Sequence, residues 1–264
     1  MWRNFPPPIR PSMADQQVYE DCIKKIRPKP ESNVLILGVT PELRKLANKH
    51  NCRVVAIDLH AVMIKAMNRL MSNFEGAMCN ETVVKGCWLA MPFKKQEFRL
   101  IVSDCSMNSL TRVESHRLLE ELNWLLKEDG YIFMRVMICS KEWTERSILD
   151  VFKKNRPHPE SSKKAFEEMY LQILCSIEAH DPISCRSSIA KARKEWRRLY
   201  HRNEISKREF EIFEDVLPKG DYSPTLLKRS ELEELLNQHF KIVSIENSAS
   251  KFVEYYPIYC LKPI

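Results

Sequence analysis

Two apolar runs in this chain end in a carboxylate, Arg53-Val-Val-Ala-Ile-Asp58 and Phe98-Arg-Leu-Ile-Val-Ser-Asp104. An acid at the tip of a buried strand either hydrogen-bonds a ligand or caps the next turn. Asp58 stands 20 residues after Gly38, the separation at which a carboxylate takes a ribose diol while the first strand-to-helix turn holds the rest of a nucleoside. That turn reads Gly38-Val39-Thr40-Pro41-Glu42. It lacks G-x-G-x-x-G, so a pyrophosphate is not cradled there, and the chain has no G-K-[ST] phosphate loop. The ligand class left is a nucleoside without phosphates. Asp104 is the first candidate for a general base, with a loop-capping role as its plain alternative. His116 is the second candidate, although it shares a helix face with Leu119, Leu122 and Leu126, where a packed histidine is the commoner outcome.

These groups need a scaffold, and the hydrophobic pattern supplies one. Val34 to Gly38 is a short β-type run. Thr40 to Asn51 has helical spacing, headed by a hydroxyl, a proline and an acid, which is a helix-start signal. Arg53–Asp58 is a second strand, Ala61 to Met71 a helix, Thr82 to Gly86 a third strand and Phe98–Asp104 a fourth. Val113 to Leu126 reads as a helix closed by Lys127-Glu-Asp-Gly130, and Tyr131 to Ile138 as the fifth strand. Strands that are apolar throughout, alternating with helices, make βαβ units in a parallel sheet covered on both faces. After Ser140 the pattern breaks. The next strand-like runs are Phe240 to Ile245 and Tyr256 to Leu261, with helical stretches at Ser162 to Ala179, Ile183 to Ile205 and Leu226 to Gln238 between.

Composition narrows the classes. The chain has 264 residues, 44% hydrophobic and 29% charged, with net charge +7, enough apolar material for a large core. No apolar run approaches the ~18 residues of a membrane helix, so no membrane association is expected. The N-terminus has no apolar core of a secretory signal. Nine cysteines without a C-x-x-C exclude a disulfide framework and familiar zinc patterns, and point to a cytoplasmic chain without a metal. Five glycines, where average usage gives about 18, should stand only where no other residue serves. They are Gly38, Gly76, Gly86, Gly130 and Gly220. Arg186 to Arg208 carries nine basic residues against two acids. An RNA-binding face is one reading. The apolar stripe Ile189, Ala192, Trp196 and Leu199 favours a solvated helix packed on its neighbours.

The series L-I-L-G-V-T-P-E-L, V-V-A-I-D-L, G-C-W-L-A-M-P-F, F-R-L-I-V-S-D and E-D-G-Y-I-F-M-R-V resembles the motif series of class I S-adenosylmethionine-dependent methyltransferases. The G-V-T-P-E-L turn, W-L-x-x-P-F, Pro7-Pro-Ile-Arg-Pro-Ser12 and Tyr222-Ser-Pro-Thr-Leu226 resemble a bacterial branch with no assigned substrate. The likeness spans Pro6 to Ser140 and Tyr222 to Ile264. It implies a Rossmann-like α/β fold: a mainly parallel seven-stranded sheet, helices on both faces, and a helical insertion between strands 5 and 6. The implied divisions are a Pro-rich segment and helix over 1–32, a core over 33–154 and 225–264, and an insertion over 155–224 that caps the cleft.

The resemblance also implies site roles. Gly38, Val39, Thr40, Pro41 and Glu42 would cradle the methionine part of the cofactor, Asp58 would bind the ribose, and Leu59 and Met63 would flank the adenine. The position after Gly86 is usually an aspartate that accepts from the adenine amino group. Here it is Cys87, a poor acceptor, with Trp88 beside it as stacking area. Asp104 would face the cofactor's amino group or the substrate, and Arg10 could fold over the cofactor's carboxylate. The implied activity is in-line methyl transfer from S-adenosyl-L-methionine, leaving S-adenosyl-L-homocysteine, to a small-molecule acceptor. RNA or protein methylation through the basic helix, or a non-catalytic binding subunit, are the alternatives.

Overall fold

The computed structural model describes residues 7, 9–28, 32–72, 80–155, 169–217, 220, 222–248 and 253–264. Gly76 and the first part of the helix read at Ser162 lie outside them. The described residues form two compact units.

The larger unit comprises Arg10–Met107, Val113–Val136 and Glu233–Ile264, and is built on one sheet. Its strands are β1 (Asn33–Leu37), β2 (Arg53–Asp58), β3 (Glu81–Lys85), β4 (Phe98–Asp104), β5 (Leu126–Arg135), β8 (Phe240–Glu246) and β9 (Ile258–Pro263), in the order β3-β2-β1-β4-β5-β9-β8. The first five pair in parallel, and β9 runs antiparallel to both β5 and β8. Apolar strands suit this arrangement because a parallel sheet is covered on both faces. Accordingly Val34, Leu35, Ile36, Leu100, Ile101 and Ile132 are buried. The parallel register brings the carboxyl ends of β1, β2, β4 and β5 to one edge. The sequence expectation of a seven-stranded, mainly parallel sheet therefore holds.

Helices α1 (Met13–Ile26), α2 (Pro41–Lys49), α3 (Ala61–Met71) and α4 (Arg112–Leu125) connect or flank the strands. Local chemistry fixes the start of α1. The Ser12 hydroxyl accepts from the Asp15 amide, and the Asp15 carboxylate accepts from the Ser12 amide, a complete capping box. Pro41 opens α2 as expected, but Thr40 makes no side-chain capping bond. Its hydroxyl is therefore not what starts that helix; the fixed φ of Pro41 is the surviving signal.

The fifth strand departs from expectation. It begins at Leu126, directly after α4, and Lys127 to Gly130 belongs to it. Leu126 pairs with Phe98 and Tyr131 with Leu100, so four residues bulge opposite one. A β-carbon at Gly130 would meet Leu126 Cδ1 at 2.7 Å and the Lys127 carbonyl oxygen at 2.8 Å. Glycine there admits the bulge, where the composition suggested a plain turn.

The second unit comprises Met1–Ile9, Asn108–Arg112 and Met137–Leu232, a longer span than the expected insertion. Asn108 ties it together: its side-chain amide donates to the Met137 and Thr225 carbonyls, each at 2.8 Å, and its oxygen accepts from the Met137 amide at 2.9 Å. Here lie α5 (Lys141–Thr144) and α6 (Ile148–Asn155), and the hairpin of β6 (His180–Asp181) with β7 (Arg186–Ser187). Helices Ile189–His201 and Lys207–Val216 follow. The hairpin corrects the expected helix from Ile183, which starts only after the Ser188 cap. The apolar stripe is as read: Ile189, Ala192, Trp196 and Leu199 are buried. Trp196 stacks on Phe213 at 4.2 Å between centroids and meets Phe152 edge-on at 4.9 Å.

Candidate functional site

At the tip of β1 the backbone turns through Gly38 at φ +91°, a conformation that strains any residue with a β-carbon. The Gly38 amide donates to the Ile57 carbonyl of β2 at 2.8 Å. A β-carbon on Gly38 would point to a spot bordered by Asp58 Oδ2 at 3.9 Å and Trp88 Cζ2 at 3.8 Å. Glycine, carboxylate and indole thus meet at one place on the carboxyl edge of the sheet.

Asp58 divides its two oxygens. Oδ1 accepts from the His60 amide at 2.8 Å, which is the capping role. Oδ2 faces Gly38. The backbone after β3 closes on the same carboxyl end, because the Gly86 amide donates to the Asp58 carbonyl at 3.0 Å. Beyond Asp58, Leu59 is 53% exposed and Met63 38%, so both present apolar surface beside the carboxylate. Cys87 is exposed and Trp88 half-buried. The loop that carries them is anchored where the Met91 amide donates to Glu121 Oε1 at 2.7 Å. Val39 and Pro41 are buried, and Thr40 is intermediate. Val39 and Pro41 serve the core with their side chains.

Arg10 and Glu42 are brought together, with Arg10 Nη1 3.2 Å from Glu42 Oε1. Arg10 is thereby tied to the first turn of α2.

The ends of β4 and β5 are organised differently. Arg135, the last residue of β5, donates Nε to Asp104 Oδ1 at 2.5 Å and Nη1 to Asp15 Oδ2 at 2.9 Å. The side chains of Asp15 and Asp104 are each 3% exposed and that of Arg135 1%. Tyr19 of α1 completes the cluster, donating its hydroxyl to the Ser103 carbonyl at 2.6 Å and accepting from the Arg135 amide at 3.1 Å. Burial raises the Asp104 carboxyl above its ordinary value, opposed by the adjacent guanidinium. Burial also lifts the Tyr19 phenol, so its proton stays in place. Cys105, next in the chain, takes φ 54°, a left-handed conformation rare outside glycine. Asp104 is therefore an ion-pair member held by Arg135. His116 stands elsewhere. Its Nδ1 lies 3.4 Å from His239 Nε2, immediately before β8.

Sequence reading missed Arg135, Asp15 and Tyr19. The one usable sign was a cation inside an apolar strand, Phe133-Met-Arg135-Val136, since a buried charge requires a partner.

Among the described residues, no group of three or more histidines, cysteines or acids could hold a metal ion, and no helix is long and apolar enough to cross a membrane. A groove of about 680 Å³ on the helix Ile189–His201 is lined by basic residues, with Glu178 and Glu195 among them. Arg198 pairs with Glu195 at 2.7 Å and Arg193 with Glu214 at 3.3 Å. Much of the basic run is thus balanced locally.

No curated protein sequence matches the chain. Among solved structures, a Rhodobacter sphaeroides protein described as a Zn-dependent alcohol dehydrogenase superposes with TM-score 0.63 at 14% identity, covering 100% of this chain and 94% of the other. An S-adenosylmethionine-dependent methyltransferase from Methanosarcina mazei gives 0.54 at 14%, covering 92% and 97%. Geranyl diphosphate C-methyltransferase from Streptomyces coelicolor, solved with S-adenosyl-L-homocysteine, gives 0.52 at 11%, covering 94% and 81%. At such identities the likeness is one of fold. In sequence, residues 37–130 match the model of a methyltransferase domain. That stretch runs from the tip of β1 to Gly130 and contains Gly38, Asp58, Trp88 and Asp104, so the part of the chain that is similar to a methyltransferase domain holds the residues gathered at the carboxyl edge of the sheet.

Proposed function

We propose that the chain methylates a small-molecule acceptor, and that the carboxyl ends of β1 and β2 hold the nucleoside of its cofactor. The observation that carries this is the meeting of Gly38 at φ +91° with Asp58 Oδ2. Positive φ lets a ligand approach the backbone, and a carboxylate oxygen facing the same spot suits a ribose hydroxyl. The exposed Leu59 and Met63 fit the faces of an adenine, and Cys87 stands at its amino edge as a weak acceptor. The residues present fit the group.

When bound, S-adenosyl-L-methionine supplies an electrophilic methyl on a sulfonium. The part of the protein is then alignment in a water-poor site, which by itself supplies a large share of such a rate enhancement. Asp104 is assigned a positional and electrostatic part, since Arg135 holds its carboxylate. An acceptor that loses its proton late suits this arrangement, because a general base is needed only for early loss. Acceptor choice is assigned to residues 155–224, outside the matched domain. Surface substitutions there should alter acceptor scope and leave cofactor affinity unchanged. The acidic partners along the basic helix favour a solvated face over an RNA-binding one.

Calorimetric titration with S-adenosyl-L-homocysteine tests the assignment. Asp58→Ala should weaken binding by about 1.5–3 kcal/mol, the range for a hydrogen bond to a charged group. Equal affinity in the variant would remove Asp58 from the site.

A further inference from the structure

Trp88 does something its place in the sequence does not suggest. Its ring reaches back over the tip of β1: indole Nε1 donates to the Ile57 carbonyl at 2.8 Å, and Cζ2 stands 3.8 Å from where a β-carbon on Gly38 would be. Asp58 Oδ2 is 3.9 Å from the same point. A β-carbon there would be in ordinary contact with both neighbours, so the indole borders the same spot in front of Gly38 that the Asp58 carboxylate faces.

We propose that the Trp88 indole is a plug standing in the ribose subsite, and that it must swing away before Asp58 and Gly38 can engage the cofactor together. This rests on the cofactor assignment made above. The Ile57 carbonyl already accepts from the Gly38 amide at 2.8 Å, so departure of the indole leaves no backbone oxygen unpaired. The indole N–H, once moved outward, is satisfied by water. The hinge is short and well placed. Trp88 lies in the turn between Cys87 and Ala90, which bridge each other, and the anchor of that loop is Met91 on Glu121. The ring can therefore rotate while the loop stays fixed. Trp88 is thus a positioning residue that sets cofactor affinity through the conformation it must give up. A protein whose competent state is only fractionally populated binds more weakly by that fraction.

The test uses the full chain and S-adenosyl-L-homocysteine as probe, with calorimetry and tryptophan emission read together. Trp88→Phe keeps an aromatic ring and loses the Nε1 bond, whereas Trp88→Ala removes the plug. Both should bind more tightly than the wild type, by roughly 3- to 10-fold, which is one neutral hydrogen bond expressed as a ratio of constants. Wild-type emission should shift to longer wavelength on binding as the indole enters water, and this shift should be missing in Trp88→Phe, whose four remaining tryptophans of the original five report no such change. Binding by Trp88→Ala where the wild type shows none supports the plug equally. Affinity that is unchanged or weaker in both variants, or an emission change of the same size in Trp88→Phe, overturns it and leaves the cofactor site standing. If neither the wild type nor Trp88→Ala binds the probe, the cofactor assignment itself fails, and the plug with it.

Discussion

At the carboxyl ends of β1 and β2 the polar groups are half-exposed and only partly engaged, whereas at the ends of β4 and β5, on the same edge, they are buried and committed to one another. Asp58 uses one oxygen on the His60 amide and turns the other toward Gly38. Asp104 meets Arg135 at 2.5 Å under a nearly complete cover. A carboxylate serves a ligand when it keeps an oxygen and some access to water, and it serves the fold when both are gone. By that criterion Asp104 falls on the side of the fold, and Asp58 keeps the features that the proposed ribose contact requires.

Substitutions can break or sharpen this contrast. The largest effect belongs to the closed end. Arg135→Met leaves Asp15 and Asp104 buried without their cation and should lower unfolding stability by about 3–5 kcal/mol, read by chemical denaturation. A loss under about 1 kcal/mol would mean the cluster is not the lock described. At the open end, Asp58→Ala should show the reverse profile. It should lose about 1.5–3 kcal/mol of S-adenosyl-L-homocysteine affinity with a much smaller stability change; a stability loss as large as that of Arg135→Met would erase the distinction. Cys87→Asp restores a strong acceptor at an exposed position and should tighten the same probe by up to about 1.4 kcal/mol, tenfold in affinity. Weaker binding would place the adenine edge elsewhere. The smallest effect lies outside both ends. Lys49 and Lys24 hold the Glu20 carboxyl down from 4.5 to about 2. A depressed acid contributes stability above its unfolded value and loses it as pH falls toward its folded one. Glu20→Gln should therefore flatten the pH dependence of stability between about 4.5 and 2, while an unchanged slope would show that the pair is fully screened.

The open end was legible in sequence because its information is local. A glycine after an apolar run, an acid 20 residues on and a helix start between them can be read from spacing alone, and β2, β4 and α3 fall on the residues expected. The closed end was not legible. Arg135 and Asp15 are 120 residues apart, and no periodicity joins them. Local composition also misled in two places. Lys127-Glu-Asp-Gly130 has turn chemistry, yet the chain stays extended there because Leu126 pairs with Phe98. Ile183 to Ile205 has helical spacing, yet its first residues lie in the β6–β7 hairpin. Pairing across the sheet or hairpin overrode propensity in both cases.

Asp15 has a consequence for motion. The first turn of a helix ordinarily frays at little cost, and its amides exchange with solvent long before the core opens. In α1 the residue that closes the capping box also faces the buried Arg135 guanidinium. Unwinding that turn would take from the buried guanidinium one of its two carboxylate partners and leave it with Asp104 alone. Opening at the helix start is thereby coupled to disruption of the β4 and β5 ends. Hydrogen exchange should find the amides of Asp15 and Gln16, which donate to Ser12 at 3.0 Å, protected like those of the central strands. The amino-terminal turn of α1 then belongs to the cooperative core, although a helix end is usually the first part of a fold to come loose.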